Sequence, residues 1–412
     1  MLEPRGLKRP SHRVATPREM AEASDIKDDA PATTCRWGFM SCGAIASDFA
    51  TALLADDGST PRVHHVVSAC ASASVARSEL FGEKHGIPRS KRHETHSAFL
   101  SSPDALNQCD VVYVSSLNTQ HKAQVLALIE LGKNVLCEKP MGLNASEVRE
   151  MVEAAKRKNV FLGEAMWTRF FPAIRRVREI LNDSALGEIV SVKSKFCIET
   201  STESAPRLWD RKLGGGGLLD VGVYTVGMAF LWFGGLDENG VRKFKTKVTR
   251  SRADLADGVD VYGVASIAFE RVDGATINTH TETQRLGMCA WGIDGNSEDE
   301  EICEIQGTAG SLRICSPMHC PTDIVLTAVN DGPRKIGGSL SFDWDFPLPK
   351  HDPSKFNYQN SVGLVYEANA VARCLHEGRL EFPEYPLAES IAVHEAMDEI
   401  RKQIGVKYDG EE

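Results

Sequence analysis

The sequence predicts an α/β chain in two parts: a parallel sheet built from βαβ units, then a larger open sheet that is predominantly antiparallel. Two observations carry that expectation. From Cys35 to Leu162, short apolar runs alternate with helix-like segments, whereas beyond Trp167 the apolar runs lengthen and adopt the period-two alternation of half-buried strands. A length of 412 residues also exceeds the usual size of one compact domain. The division that follows is an N-terminal extension over 1–34, a first domain over 35–163 and a second, α+β domain over 164–412.

Met1 to Thr34 lacks apolar periodicity and is rich in Arg, Pro, Ser, Asp and Ala, which reads as a flexible extension. Its first twenty residues hold five basic side chains against two acids and no apolar core, which excludes a secretory signal and leaves organellar targeting open. Arg36 to Met40 then reads as a strand, Ser41 to Ala46 as a tight turn and Ser47 to Ala55 as a helix. Further strands are expected at His64–Cys70, Val111–Val114, Asn134–Cys137 and Val160–Leu162. Helices are expected at Ser74–His85, His121–Leu131 and Ala145–Lys158, the last capped near Asn144. In the second part, Glu188–Ile198, Val259–Phe269 and Ala275–Thr283 read as strands, and Leu364–His376 and Leu387–Ile404 as closing helices. The longest apolar run, Val226 to Phe233, is too short to span a bilayer.

Composition narrows the function classes. The balance of 47 Lys and Arg against 57 Asp and Glu gives a net charge of −10, which argues against nucleic acid or an anionic membrane as partner. Eleven cysteines with no CxxC pair fit reduced thiols in an intracellular, cytoplasmic setting, and no His or Cys spacing supports a metal site.

The turn after the first strand is where a dinucleotide site needs small residues, because backbone N–H groups must approach a pyrophosphate. Its glycine slots hold Ser41, Gly43 and Ala46, so Ser41 departs from the fingerprint; Ala44 and Ile45 complete the candidate cradle. An acidic residue about twenty positions on would bind the ribose of NAD, yet Val63 to Ser78 contains no Asp or Glu. Ser72, Ser74 and Arg77 suit the 2′-phosphate of NADP instead. Cys137-Glu138-Lys139-Pro140 closes a buried strand at the edge where open α/β sheets bind ligands, with Asn118 and His121 at the neighbouring strand end. There Lys139 can polarise a hydroxyl or carbonyl. Four glycines from Gly214 lead into Asp220 and Tyr224, which share one face if the segment is helical. Trp167, Arg169, Arg207 and Trp209 are candidate pocket walls, with interdomain core as the alternative for the aromatics.

The segments WGFMSCGAIASDF, NTQHK, NVLCEKP, FLGEAMWTRFFP, GGGLLDVGVYTV, IQGTAGSLRI and YEANAVARCL resemble the Gfo/Idh/MocA oxidoreductase family, in particular its branch of dimeric dihydrodiol dehydrogenases and NADP-dependent D-xylose 1-dehydrogenases. That resemblance implies a Rossmann domain followed by an antiparallel sheet, with the active site between them. It also implies that Lys139 is the lysine of the EKP motif, that Asp220 and Tyr224 fill the acidic and hydroxylated positions, and that Asn118, His121 and Glu138 lie at the cofactor. Ala73 stands where the branch often has a phosphate-binding Arg, and Arg77 matches its second one. The expectation is an NADP-dependent dehydrogenase of a sugar hemiacetal or vicinal cyclic diol, with a phenol at Tyr224 acidified by Lys139 and Asp220 orienting the substrate. It is expected to pair as a homodimer through the C-terminal sheet. A biosynthetic reductase and a non-catalytic NADP-binding regulator are the alternatives.

Overall fold

The computed structural model describes residues 33–55, 57–58, 62–233, 244–271, 284–296, 301–329, 339–409 and 411. Most of the expected extension, and the strand expected at Ala275–Thr283, lie outside them. Thr33 and Thr34 do not belong to an extension, because they already pair in the first strand.

Six parallel strands form the first sheet: β1 (Thr33–Met40), β2 (Val63–Ala71), β3 (Arg92–His93), β4 (Val111–Val114), β5 (Asn134–Glu138) and β6 (Leu162–Ala165). Their order is β3-β2-β1-β4-β5-β6, so the direction of winding reverses between β1 and β4. Open α/β sheets form a ligand crevice outside the carboxyl ends of the strands at such a reversal. The strands read as apolar runs because both faces are covered: all four residues of β4, VVYV, are buried. Helix Ala44–Ala52 starts three residues before expectation, since Gly43 already serves as its N-cap. Helix Asn118–Glu130 likewise begins at Asn118 rather than His121.

Eight strands form the second sheet: β7 (Ile189–Cys197), β8 (Phe244–Ala256), β9 (Val259–Arg271), β10 (Gln284–Gly292), β11 (Cys303–Gly307), β12 (Gly310–Ile314), β13 (Asp323–Val329) and β14 (Ser339–Asp345). The order is β14-β13-β12-β11-β7-β10-β9-β8, and β7 with β10 is its parallel pair. Period-two alternation divides the faces. Ala265, Ile267, Cys289 and Trp291 point inward onto helix Val223–Phe233, while Tyr262, Val264 and Leu286 are exposed on the other side. The segment Arg211–Phe233 is 23 residues long and apolar enough by composition to cross a membrane, but 89% of its most apolar part is buried in this core.

The chain then returns to the first sheet. Helix Leu364–His376 packs on β1, and helix Leu387–Ile404 packs on helix Ala145–Lys158, β6 and β8. The edge strand β6 is tied to the backbone of this returning segment, Leu162 N–H donating to Leu380 O at 3.0 Å. Trp37 Nε1 donates to His65 Nδ1 at 3.1 Å, leaving Nε2 to donate to Asn369 Oδ1 at 2.8 Å; burial keeps this ring neutral by lowering its pKa. All eleven cysteines are free thiols.

Candidate active site

Ser41 keeps the backbone conformation its glycine slot implies. Its φ is +97°, in the left-handed region, and its N–H donates to Ala71 O at 2.9 Å. The following helix has no side chain capping its N-terminus and no acid in its first turn. A Cβ built on Gly43 would meet nothing within 4 Å, so the cradle opens on empty space. Ser41, Gly43 and Ile45 are half-buried there and Ala44 is exposed. Unsatisfied N–H groups, an open concavity and no negative charge fit the pyrophosphate of a dinucleotide.

At the end of β2, Ser72 is buried, and its hydroxyl accepts from Ser74 N–H at 3.3 Å. Ser72 thus shapes the turn, and its hydroxyl keeps a proton of its own to donate. The exposed group is Arg77, in the first turn of helix Val75–Lys84, which carries no acid there.

The end of β5 is held from below. Tyr113 Oη hydrogen-bonds to Glu138, whose other oxygen accepts Lys139 N–H at 3.1 Å. Burial raises the pKa of Glu138, with Lys139 opposing. His121 is buried, with one ring nitrogen 2.9 Å from Pro140 O and the other 3.1 Å from Ser116 O. It therefore braces the turn after β5; burial lowers its pKa, so the neutral ring donates from one nitrogen to one of these two carbonyls. Asn118 Nδ2 donates to Gly214 O at 3.1 Å, joining this edge to the glycine run.

That run approaches the protein itself. Gly216 has φ +114°, and a Cβ there would sit 2.4 Å from Asp260 Oδ1; a Cβ on Gly215 would sit 2.6 Å from Leu208 O. Asp260 accepts from Leu218 N–H at 2.6 Å and from Trp291 Nε1 at 2.7 Å, fixing the start of a π-helical turn, Leu218–Gly222. Burial raises its pKa to about 6. The wider turn, followed by helix Val223–Phe233, brings Asp220 and Tyr224 to Lys139. Lys139 Nζ donates to Asp220 O at 2.8 Å, lies 3.4 Å from Asp220 Oδ1 and sits 5.1 Å from the centre of the Tyr224 ring. Arg207 donates to the same Oδ1 at 3.0 Å. Burial opposes charge on Asp220, yet Lys139 and Arg207 hold its pKa down to about 2.

Tyr224 differs from expectation. Burial and the Glu138 carboxylate raise its pKa well above the ordinary tyrosine value, because Lys139 faces Asp220 and the ring face rather than the phenol oxygen. The group that reaches this oxygen is Trp167, whose Nε1 donates to it at 2.9 Å and favours the phenolate. Trp167 is therefore a phenol-positioning residue. Arg169 is no pocket wall: it is buried, pairs with Glu389 at 2.8 Å, donates to Gly227 O at 2.7 Å and stacks on Tyr385. Trp209 packs partly buried, its Nε1 on Thr200 Oγ1 at 3.2 Å.

Three neighbours are not among the candidate residues that the sequence singles out. Phe196 of β7 and His319, from the turn between β12 and β13, lie 5.7 and 5.5 Å from the Tyr224 ring. Asp48, on the dinucleotide helix, accepts the N–H groups of Asn357 at 2.9 Å and Tyr358 at 3.0 Å. This brings Tyr358 within electrostatic reach of Arg207 and Asp220. None of these stands near Lys139 or Tyr224 in sequence, and no spacing rule links them.

Residues 35–166 match the oxidoreductase family with an NAD-binding Rossmann fold, and residues 174–313 match the Gfo/Idh/MocA C-terminal domain. The chain belongs to the Gfo/Idh/MocA oxidoreductase family. Among curated proteins it is 35% identical over 373 residues to the trans-1,2-dihydrobenzene-1,2-diol dehydrogenase of Sus scrofa, and 35% identical to that of Homo sapiens. In both cases 90% of this chain and 98% of the relative are covered. Among solved structures, a variant of a 3-ketoreductase from Actinomadura kijaniata in complex with TDP-benzene and NADP superposes with a TM-score of 0.69 at 21% identity, over 91% of this chain and 99% of that one. A levoglucosan dehydrogenase in complex with NADH and L-sorbose gives 0.69 at 17%, over 90% and 97%. These structures share the fold: a Rossmann-type parallel sheet followed by a mostly antiparallel one. As a family member with this dinucleotide turn, the chain is an NAD(P)-dependent oxidoreductase.

Proposed function

We propose that this chain is an NADP-dependent dehydrogenase interconverting a cyclic vicinal diol and its ketol. The carrying observation is the convergence of Lys139, Asp220 and Tyr224 at the carboxyl edge of the first sheet. The names of relatives that match over 90% of this chain support the diol. NADP over NAD is supported by the acid-free stretch from Val63 to Ser78 and by exposed Arg77.

Ser41, Gly43, Ala44 and Ile45 would hold the pyrophosphate through backbone N–H groups, with Arg77 at the 2′-phosphate. The nicotinamide, when bound, supplies hydride acceptance and donation. Tyr224 Oη, steadied by Trp167, faces the reacting oxygen. Because the phenol keeps its proton here, it donates directly to a carbonyl oxygen in the reductive direction. In the oxidative direction the phenol first releases its proton to solvent, and the phenolate, favoured by the Trp167 N–H, then takes the hydroxyl proton. Lys139 and Arg207 keep Asp220 ionised, so its carboxylate can accept from a substrate hydroxyl.

The test is NADPH and NADH formation against trans-dihydrodiols and aldopyranoses, with both cofactors. The expected result is turnover of a trans-dihydrodiol with NADP. Faster turnover of D-xylose would move the substrate to the sugar class, and no turnover of any member would favour the non-catalytic regulator. We further propose a homodimer through the outer face of the second sheet. There Tyr262, Val264 and Leu286 are exposed, and a concavity of about 770 Å³ is lined by Lys193, Lys195, Arg250, Arg252 and Met288 among others.

A further inference from the structure

His319 is the polar member of an otherwise aromatic wall beside Tyr224. Its ring stacks on Phe196 with centroids 4.5 Å apart and planes at 10°, and lies 5.7 Å from Trp167. Glu301, itself buried, holds it from behind: Oε1 lies 2.5 Å from Nδ1 and also accepts the His319 backbone N–H at 3.1 Å. A carboxylate on Nδ1 keeps a proton on that nitrogen and fixes the direction of Nε2. Nε2 has the Cys320 thiol as its neighbour, at 3.3 Å, and a thiol is a weak hydrogen-bond partner. The Trp167 N–H is already spent on the Tyr224 oxygen, and Phe196 has nothing to offer. His319 thus carries the nitrogen on this wall that a stronger oxygen acceptor could engage, and its side chain is 16% exposed. With Nδ1 turned to Glu301, Nε2 is the nitrogen directed at the wall; burial opposes charge on the ring, while Cys320 and the Glu301 carboxylate favour it and raise its pKa.

We propose that His319, oriented by Glu301, is a specificity-determining residue that receives the second oxygen of a vicinal diol while Tyr224 engages the first. The assignment rests on the diol reading above and deepens it. A mono-alcohol would fill the aromatic wall equally well and leave His319 with only its thiol partner. The preference for two adjacent oxygens is therefore set at this residue, through one charge-assisted hydrogen bond.

The experiment measures binding of trans-cyclohexane-1,2-diol and of cyclohexanol by calorimetry, with NADP present, in the wild type, His319→Phe and His319→Gln. Phe keeps the stacking on Phe196 and removes the nitrogen, whereas Gln restores a donor. The wild type should prefer the diol by roughly 10- to 100-fold, the range of one hydrogen bond to a charged group. His319→Phe should bind both alcohols alike, and His319→Gln should recover part of the preference. An unaltered preference in His319→Phe, or none in the wild type, would overturn the assignment. Turnover of the diol is followed in parallel. A wild type that selects the diol through His319 yet reduces no NADP would sink the dehydrogenase reading and leave this one standing.

Discussion

Lys139 and Tyr224 act on each other through the ring face and through Asp220, which determines what their substitution should do. Removing the phenol hydroxyl in Tyr224→Phe should lower kcat by roughly 10²–10⁴-fold, the usual share of a positioned proton-transfer group, while NADP binding measured by fluorescence titration persists. Lys139→Met leaves the Asp220 carboxylate with Arg207 alone and should lose a similar factor. Since the Tyr224 pKa lies above the ordinary value of 10, the oxidation rate should climb with pH from neutrality to about 10 without a plateau. A profile flat above pH 7 would mean another group takes the proton. Arg77→Ala should raise the Kd for NADP roughly 10- to 100-fold and leave that for NAD nearly unchanged, as expected for one charge-assisted contact to a phosphate. Lys139, Asp220 and Tyr224 were legible in sequence because each sits in a compact motif beside strand ends or glycines. The direction of Lys139 was not legible, because it depends on Asp220 O, a backbone atom supplied by a π-helical turn.

At the scale of elements, the π-helical turn is as much a product of Asp260 as of its own residues. Gly216→Ala would push a methyl group into Asp260 Oδ1 at a φ that L-residues resist, and should destabilise the fold by roughly 1–3 kcal/mol in urea titrations. Asp260 also gives a pH signature. Its folded pKa, about 6, lies above the ordinary value of 3.8, so the folded state binds this proton more tightly than the unfolded one. This contribution is fully present below about pH 4 and lost as pH rises to 6, by roughly 3 kcal/mol at most. In wild type against Asp260→Asn, the difference in unfolding free energy should therefore change between pH 4 and 6 and level off above. Periodicity exposed the helices Ala145–Lys158, Leu364–His376 and Leu387–Ile404, whose bounds the structure reproduces, whereas β6 runs Leu162–Ala165 and not Val160–Leu162 as expected. The first helix was read three residues late because an Ala-rich start carries no side-chain cap and only the backbone of Gly43 marks it. His319 and Glu301 stayed hidden since they meet through the folding of β11 to β13, which no local pattern encodes.

For the whole molecule, the proposed assembly pairs two chains through the outer face of the second sheet. Light scattering should give twice the chain mass across the micromolar range. Paired charge reversal at Lys193 and Lys195 should shift that mass toward one chain without changing the unfolding transition of the separated subunits. A single-chain mass at every concentration would remove the dimer. The two-sheet plan was legible as a change of hydrophobic period near Trp167. The return of the chain was not, because helices Leu364–His376 and Leu387–Ile404 read alike wherever they dock. Their docking matters to the order of events at birth. The first sheet is synthesised early, yet β1 lacks its covering helix, His65 its Asn369 partner and β6 its edge contact to Leu380 until residues 364–404 have emerged. The nucleotide-binding half must therefore wait on the ribosome with an open flank through most of translation. It closes only when the last eighth of the chain is made, so a message truncated before that point leaves β1, β6 and His65 without these partners.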